Sequence, residues 1–111
     1  MKIGFITDSH ENVGKIQAAV EYFNQMNVTR VFHGGDIISP IMADHFQKLD
    51  AQLELVLGNN DGEKFFLKEK FGAFARLHED AIECQVQEKN LLIYHKPLFL
   101  NALIQSRQYD L

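Results

Sequence analysis

Residues 2–10 read Lys-Ile-Gly-Phe-Ile-Thr-Asp-Ser-His. The stretch opens apolar and β-prone and closes with a carboxylate, Asp8, and an imidazole, His10, two positions apart. In an extended segment residues i and i+2 point to one side. A buried strand ending in Asp-x-His therefore aims one hard oxygen donor and one nitrogen donor at a single point. That pair suits a divalent metal such as manganese, iron or zinc. A plainer reading stays open here: a strand followed by a polar turn, with Asp8 capping the next element.

The chain around it has 111 residues, 46% hydrophobic and 23% charged. That composition predicts one domain over residues 1–111, with a single core. A net charge of −4 without a Lys/Arg cluster argues against binding of duplex nucleic acid. An acidic surface still accommodates a phosphorylated substrate where metal ions supply the positive charge. The one cysteine, Cys84, excludes an intrachain disulfide. It alternates with Ile82 and Val86 and reads as a buried strand thiol. No run approaches a membrane span, and the apolar start is too short for a signal peptide. The expectation is a soluble, cytoplasmic protein.

Residues 2–7 read as a first strand. Asn12 then serves as an N-cap, and Ile16, Ala19, Val20 and Phe23 recur at helical spacing to about Met26. Residues 30–33 form a second strand that breaks at Gly34-Gly35-Asp36, where glycine permits unusual backbone angles and close approach. Ser39-Pro40 fits an N-cap with proline in the first turn of a short helix to about Leu49. Residues 52–57 are a third strand, ended by Gly58-Asn59-Asn60-Asp61-Gly62, and 63–71 are helix-compatible. Residues 81–86 and 91–94 flank a polar turn and predict a β-hairpin. Pro97 opens a last helix carrying Leu100, Leu103 and Ile104. The order βαβαβα then ββα predicts early parallel pairing and a later antiparallel part, an α/β chain with mixed sheets.

Ligand-type residues stand at successive strand ends: Asp8 and His10, then Asp36, then Asn59 and Asp61, then His95. In open α/β sheets the carboxyl ends of parallel strands line the binding crevice. Turn chemistry explains Asp and Asn there, but does not require two histidines beside glycines. His33 precedes the two glycines and reads as a hydrogen-bonded packing residue. His45 and His78 read as surface residues, and Phe65, Phe66, Phe71 and Phe74 as core or a partner-facing patch. No Gly-x-Gly-x-x-Gly follows the first strand, so a dinucleotide-binding fold fits poorly.

The ordered blocks Asp8-Ser9-His10, Gly35-Asp36, Gly58-Asn59-Asn60-Asp61 and His95 resemble the calcineurin-like metallophosphoesterases, most closely their small single-domain bacterial and archaeal phosphodiesterases. The resemblance implies an αββα sandwich with a two-metal centre on one edge. It assigns Asp8 and His10 to a first metal, Asp36 to a bridge, and Asn59 and His95 to a second metal. It implies two divalent ions, manganese first and nickel, iron or zinc as alternatives, and a bridging hydroxide nucleophile. A catalytic part falls to Asp36 and Asn59, and to Asp61 as the residue that orients a neighbour. The substrate it implies is a phosphorylated small molecule or a nucleotide-like diester.

Three departures stand out. The relatives carry a Gly-His-x-His block beyond the position where this sequence stops, at Leu111. The expectation is therefore that the last strands of the second sheet are missing, with weaker metal binding and an open sheet edge suited to homo-oligomer formation. Second, the relatives read His-Gly-His where this chain reads His95-Lys96-Pro97. Lys96 could repel metal or bind a phosphate oxygen, and the space that glycine leaves favours repulsion. Third, Asn60 stands where larger phosphatases carry a histidine that helps protonate the leaving group, so diesters with activated leaving groups are expected to react better than monoesters. The alternatives to an active phosphodiesterase are a weak or inactive relative serving as a protein-binding scaffold, like the retromer subunit of this fold, and a truncated remnant.

Overall fold

The computed structural model describes residues 2–37, 39–58, 61, 64–96 and 99–111. Strand β1 (Ile3–Ile6) leads into helix α1 (Val13–Gln25), whose first turn is closed by the Asn12 side chain accepting from the Lys15 N–H at 3.1 Å. Asn12→Ala removes that acceptor and is expected to cost about 1 kcal/mol, a fall of roughly 4 °C in thermal midpoint. Strand β2 (Arg30–His33) follows. Ser39 caps a 3-10 turn (Pro40–Met42), accepting from the Ile41 N–H, and a single turn of helix α2 (Ala43–Phe46) completes the segment. The segment ends at Phe46 and not near Leu49, where the apolar stripe had pointed.

Strand β3 (Gln52–Val56), helix α3 (Lys64–Phe71) and strand β4 (Ala75–His78) come next. The sequence had not revealed β4. It is a four-residue parallel strand on the sheet edge, with Arg76 outward, so its apolar alternation is slight. All four strands pair in parallel in the order β1-β2-β3-β4. Strands β5 (Ala81–Val86) and β6 (Lys89–Tyr94) form an antiparallel hairpin. Its two-residue turn places Gln87 and Glu88 at φ 48° and 68°, the left-handed pair that a right-twisted hairpin favours. Helix α4 (Leu100–Ser106) ends the regular structure. Of its three expected inward residues only Leu103 is half-buried, and Pro97 lies outside the described residues.

Strand alternation assigns the layers. Val31, Leu53 and Leu55 face α1, α2 and α3, burying Ile16, Val20, Phe46, Leu67 and Phe71 between helices and sheet. On the opposite face Phe32 and Val56 meet Ile82, Val86 and Leu91 of the hairpin. Leu92 and Tyr94, on the hairpin's outer side, share a hollow with Leu100 and Leu103 of α4. The result is four layers in the order α, β, β, α, with parallel and antiparallel sheets. Half-buried Cys84 packs within the second core, where burial raises its thiol pKa. The outer edge of β6, expected to stand open, is occupied at one end. Leu92 N–H donates to the Leu111 carbonyl at 2.8 Å and Leu111 N–H to the Asn90 carbonyl at 3.3 Å, a parallel bridge. No helix among the described residues is long and apolar enough to cross a membrane.

Candidate metal centre

The carboxyl ends of β1, β2 and β6 converge on Asp36. Its Oδ2 lies 3.7 Å from His10 Nε2, and its Oδ1 lies 3.4 Å from His95 Nε2. One buried carboxylate thus faces an imidazole on each side. Donor atoms of Asp8, His10 and Asp36 all lie within 4.8 Å of one another. Asp8 and His10 are exposed, whereas Asp36 is buried. Oxygen and imidazole donors clustered this closely fit a divalent cation. Asn59 lies outside the described residues.

Asp8 and His10 converge by a different route from the extended segment expected of them. Strand β1 stops at Ile6, and both residues take left-handed backbone, each at φ 51°. Asp36 does the same at φ 61°. Such angles cost about 1–2 kcal/mol for most residues, and Asp, Asn and His tolerate them best. Backbone hydrogen bonds hold the two loops together: Asp8 N–H to the Gly35 carbonyl and His10 N–H to the Asp36 carbonyl, both at 2.9 Å. Three adjoining donor residues share this backbone conformation.

A second ring of contacts fixes those donors. Buried Asp61 accepts, through Oδ2, from the Asp36 N–H at 2.9 Å and the Gly58 N–H at 2.6 Å. Its carboxylate pins the backbone of Asp36, which is an orienting position. His95 Nδ1 lies 2.8 Å from the Gly34 carbonyl. A carbonyl only accepts, so Nδ1 carries a proton and the ring turns Nε2 toward Asp36, an orientation common for metal-binding imidazoles.

His33 is fully buried and ties both loops to one ring. Its Nδ1 accepts from the Gly35 N–H at 2.9 Å, which makes Nε2 the donor to Ser9 Oγ, also at 2.9 Å. The ring stands edge-on to Phe46. Burial lowers its pKa from the ordinary 6.5 to about 4, against the opposing pull of Asp61, Asp8 and Asp36. The role expected of it, hydrogen-bonded packing, is the one it fills. The part played by Ser9 had gone unread, although Ser9 sits between Asp8 and His10.

A pH dependence follows from His33. The unfolded chain takes up the proton near 6.5 and the folded chain only near 4. The neutral ring's contribution is therefore complete above 6.5 and is lost as pH falls from 6.5 to 4, by about 3 kcal/mol in all. Urea unfolding of metal-free protein between pH 7.5 and 4 should show this slope in the wild type and a shallower one in His33→Gln. At pH 7.5 the variant should be about 1–3 kcal/mol less stable, because it loses the ring's paired hydrogen bonds.

His78 departs from expectation. It is half-buried, with Nε2 lying 3.4 Å from Glu54 Oε2 and making no hydrogen bond among the described residues. Arg30 Nη2 holds the other oxygen of Glu54 at 2.9 Å. His45 is half-buried as well.

A layered α/β sandwich with carboxylates and imidazoles meeting at its strand ends defines a protein suited to divalent cations. The chain belongs to the calcineurin-like phosphoesterase superfamily, whose domain signature matches residues 1–110. It is 34% identical to phosphodiesterase MJ0936 of Methanocaldococcus jannaschii over 114 residues, covering 99% of this chain and 69% of that protein. The solved structure of an archaeal phosphodiesterase superposes with a TM-score of 0.92 at 34% identity, over 99% of this chain and 69% of that one. A Streptococcus pneumoniae protein described as a predicted phosphoesterase matches with a TM-score of 0.61 at 16% identity, over 96% of this chain and 56% of its own. AQ665 of Aquifex aeolicus, a protein of unknown function, gives 0.58 at 18% identity, over 96% of this chain and 70% of that one. At such low identity these last two bear on the fold alone.

Proposed function

We propose that the chain hydrolyses phosphoesters, phosphodiesters foremost, with two divalent cations held on either side of Asp36. The observation that carries the reading is the placement of the two Asp36 oxygens, one toward His10 and the other toward His95. Asp8, His10 and Asp36 would hold one ion; Asp36, Asn59 and His95 would hold the other. Manganese is the expected metal. When bound, the ions supply positive charge that polarises a phosphoryl oxygen and acidifies a water.

The chain's own groups do the positioning. Asp61 fixes Asp36 through its backbone N–H, and Gly34 fixes the orientation of His95. His33 holds the Ser9 and Gly35 loops at one spacing. The 34% identity with MJ0936 supports a diester as the substrate class. Cys84 with no partner thiol fits a reducing compartment, which supports the cytoplasm as the place of work.

The test loads purified protein with excess manganese, counts bound metal, and follows hydrolysis of bis(p-nitrophenyl) phosphate. Two ions per chain with metal-dependent turnover is the expected result. No bound ion at millimolar manganese overturns it in favour of a protein-binding scaffold or a remnant without activity. Such a scaffold would draw on the exposed, edge-on ring pair Phe65 and Phe66.

A further inference from the structure

Two clefts flank the Asp36 cluster, and they differ in charge. One, about 480 Å³, is lined by Phe5, Phe32, Ile93 and Asp8 among others, with no lysine or arginine among the described residues of its wall. The other, about 430 Å³, begins at Gly58 and His95 and is lined by Lys64, Lys96, Tyr94 and Leu103. His95 belongs to both walls. Lys64 and Lys96 are exposed, and neither takes part in a salt bridge among the described residues. Glu79 and Asp80 line the same cleft. Glu79 is engaged chiefly by Lys68, whose hydrogen bond and charge hold its carboxyl below the ordinary range, with a smaller pull from the charge of Lys64.

Two exposed lysines in one cleft, in no salt bridge among the described residues and beside the Asp36 cluster, offer positive charge to an anion on a chain of net charge −4. We propose that Lys64 and Lys96 form an anion subsite next to the metal centre, and that the preferred phosphodiester carries a second phosphate lodged there. The proposal rests on the phosphoesterase reading above and adds the substrate class. A lysine ammonium binds phosphate as a point charge, without the directional fork of arginine, so the subsite reads charge more than shape. Lys96 is then a specificity-determining residue, and its place directly after His95 puts it one residue from the reacting end of the substrate.

The test compares two esters with one leaving group: thymidine 5′-(p-nitrophenyl phosphate) and the same compound phosphorylated at O3′. With manganese-loaded protein, kcat/KM should favour the second by about 10-fold, with the preference shrinking as salt is raised. The ratio should fall to near 1 in Lys64→Gln/Lys96→Gln and survive in Lys96→Arg. A parallel titration measures thymidine 3′,5′-bisphosphate against thymidine 5′-phosphate by calorimetry. Turnover of both esters at a ratio near 1 in the wild type overturns the subsite and leaves the hydrolase standing. Absence of turnover, with lysine-dependent tighter binding of the bisphosphate, overturns the hydrolase and leaves the subsite standing. Equal binding of both nucleotides without turnover removes both.

Discussion

Asp36→Asn is expected to reduce manganese-dependent diester hydrolysis by about 10³-fold, while leaving the metal-free protein as stable as the wild type or more so. Asparagine is the chosen replacement because it keeps side-chain volume and tolerates the left-handed backbone at φ 61°. Only the charge and its pair of equivalent oxygens are lost. Those oxygens face His10 at 3.7 Å and His95 at 3.4 Å, so one substitution weakens both proposed ion positions. In the metal-free protein the same carboxylate is buried close to two others, with the imidazoles of His10 and His95 beside it. It is 3% exposed, its donor atoms cluster with those of Asp8, and its backbone N–H bonds to the Asp61 carboxylate. Burying a charge among like charges costs free energy that a bound cation would return. The measurements are bound manganese per chain, turnover, and thermal midpoint in chelator. Near-wild-type turnover in Asp36→Asn would remove Asp36 from the centre of the mechanism. A sharp fall in midpoint without metal would instead make it a structural residue.

Much of this site was legible because its donors follow strand ends, and strand ends are what apolar runs mark. Residues 30–33 and 81–86 read as strands and are strands. The caps at Asn12 and Ser39 were legible for the same local reason, a short polar side chain ahead of an apolar stripe. What escaped notice was set by tertiary contact. Strand β4 carries one strongly apolar residue, Leu77, and is defined by pairing with β3, not by its own pattern. The hairpin itself was expected from its polar turn, but the left-handed angles at Gln87 and Glu88 were not, because neither residue is glycine or asparagine. The convergence of Asp8 and His10 was anticipated for a reason that does not apply. A period-2 strand would have aligned them, but the loop does so with two left-handed residues locked by the Gly35 and Asp36 carbonyls. Sequence spacing proposed these two residues as neighbours; the hydrogen bonds that turn them come from the loop after β2.

Gly58→Ala is expected to be among the most damaging single methyls at the described glycines. A Cβ at Gly58 would stand 2.1 Å from Asp36 Oδ1 and 2.3 Å from the Asp36 backbone nitrogen. The nitrogen cannot swing aside, because Asp61 bonds to the N–H of both Asp36 and Gly58. Gly35 presses from the other side, where a Cβ would meet Gly58 N at 2.8 Å and Gly58 Cα at 2.9 Å. Two loops meet backbone to backbone beneath the donors, and a methyl must separate them. Overpacking of this kind costs about 1–3 kcal/mol where side chains yield, and more where main chain must move. A fall of roughly 10 °C or more in thermal midpoint is expected, together with loss of manganese binding, since the same displacement moves Asp36. Gly14→Ala supplies the opposite sign. A Cβ there meets only Asn12 Oδ1, at 3.8 Å, within helix α1, so it should stabilise by about 0.5–1 kcal/mol. Thermal unfolding of the two variants side by side tests the account, and a Gly58→Ala protein that melts and binds manganese like the wild type would mean the strand ends are not packed as described.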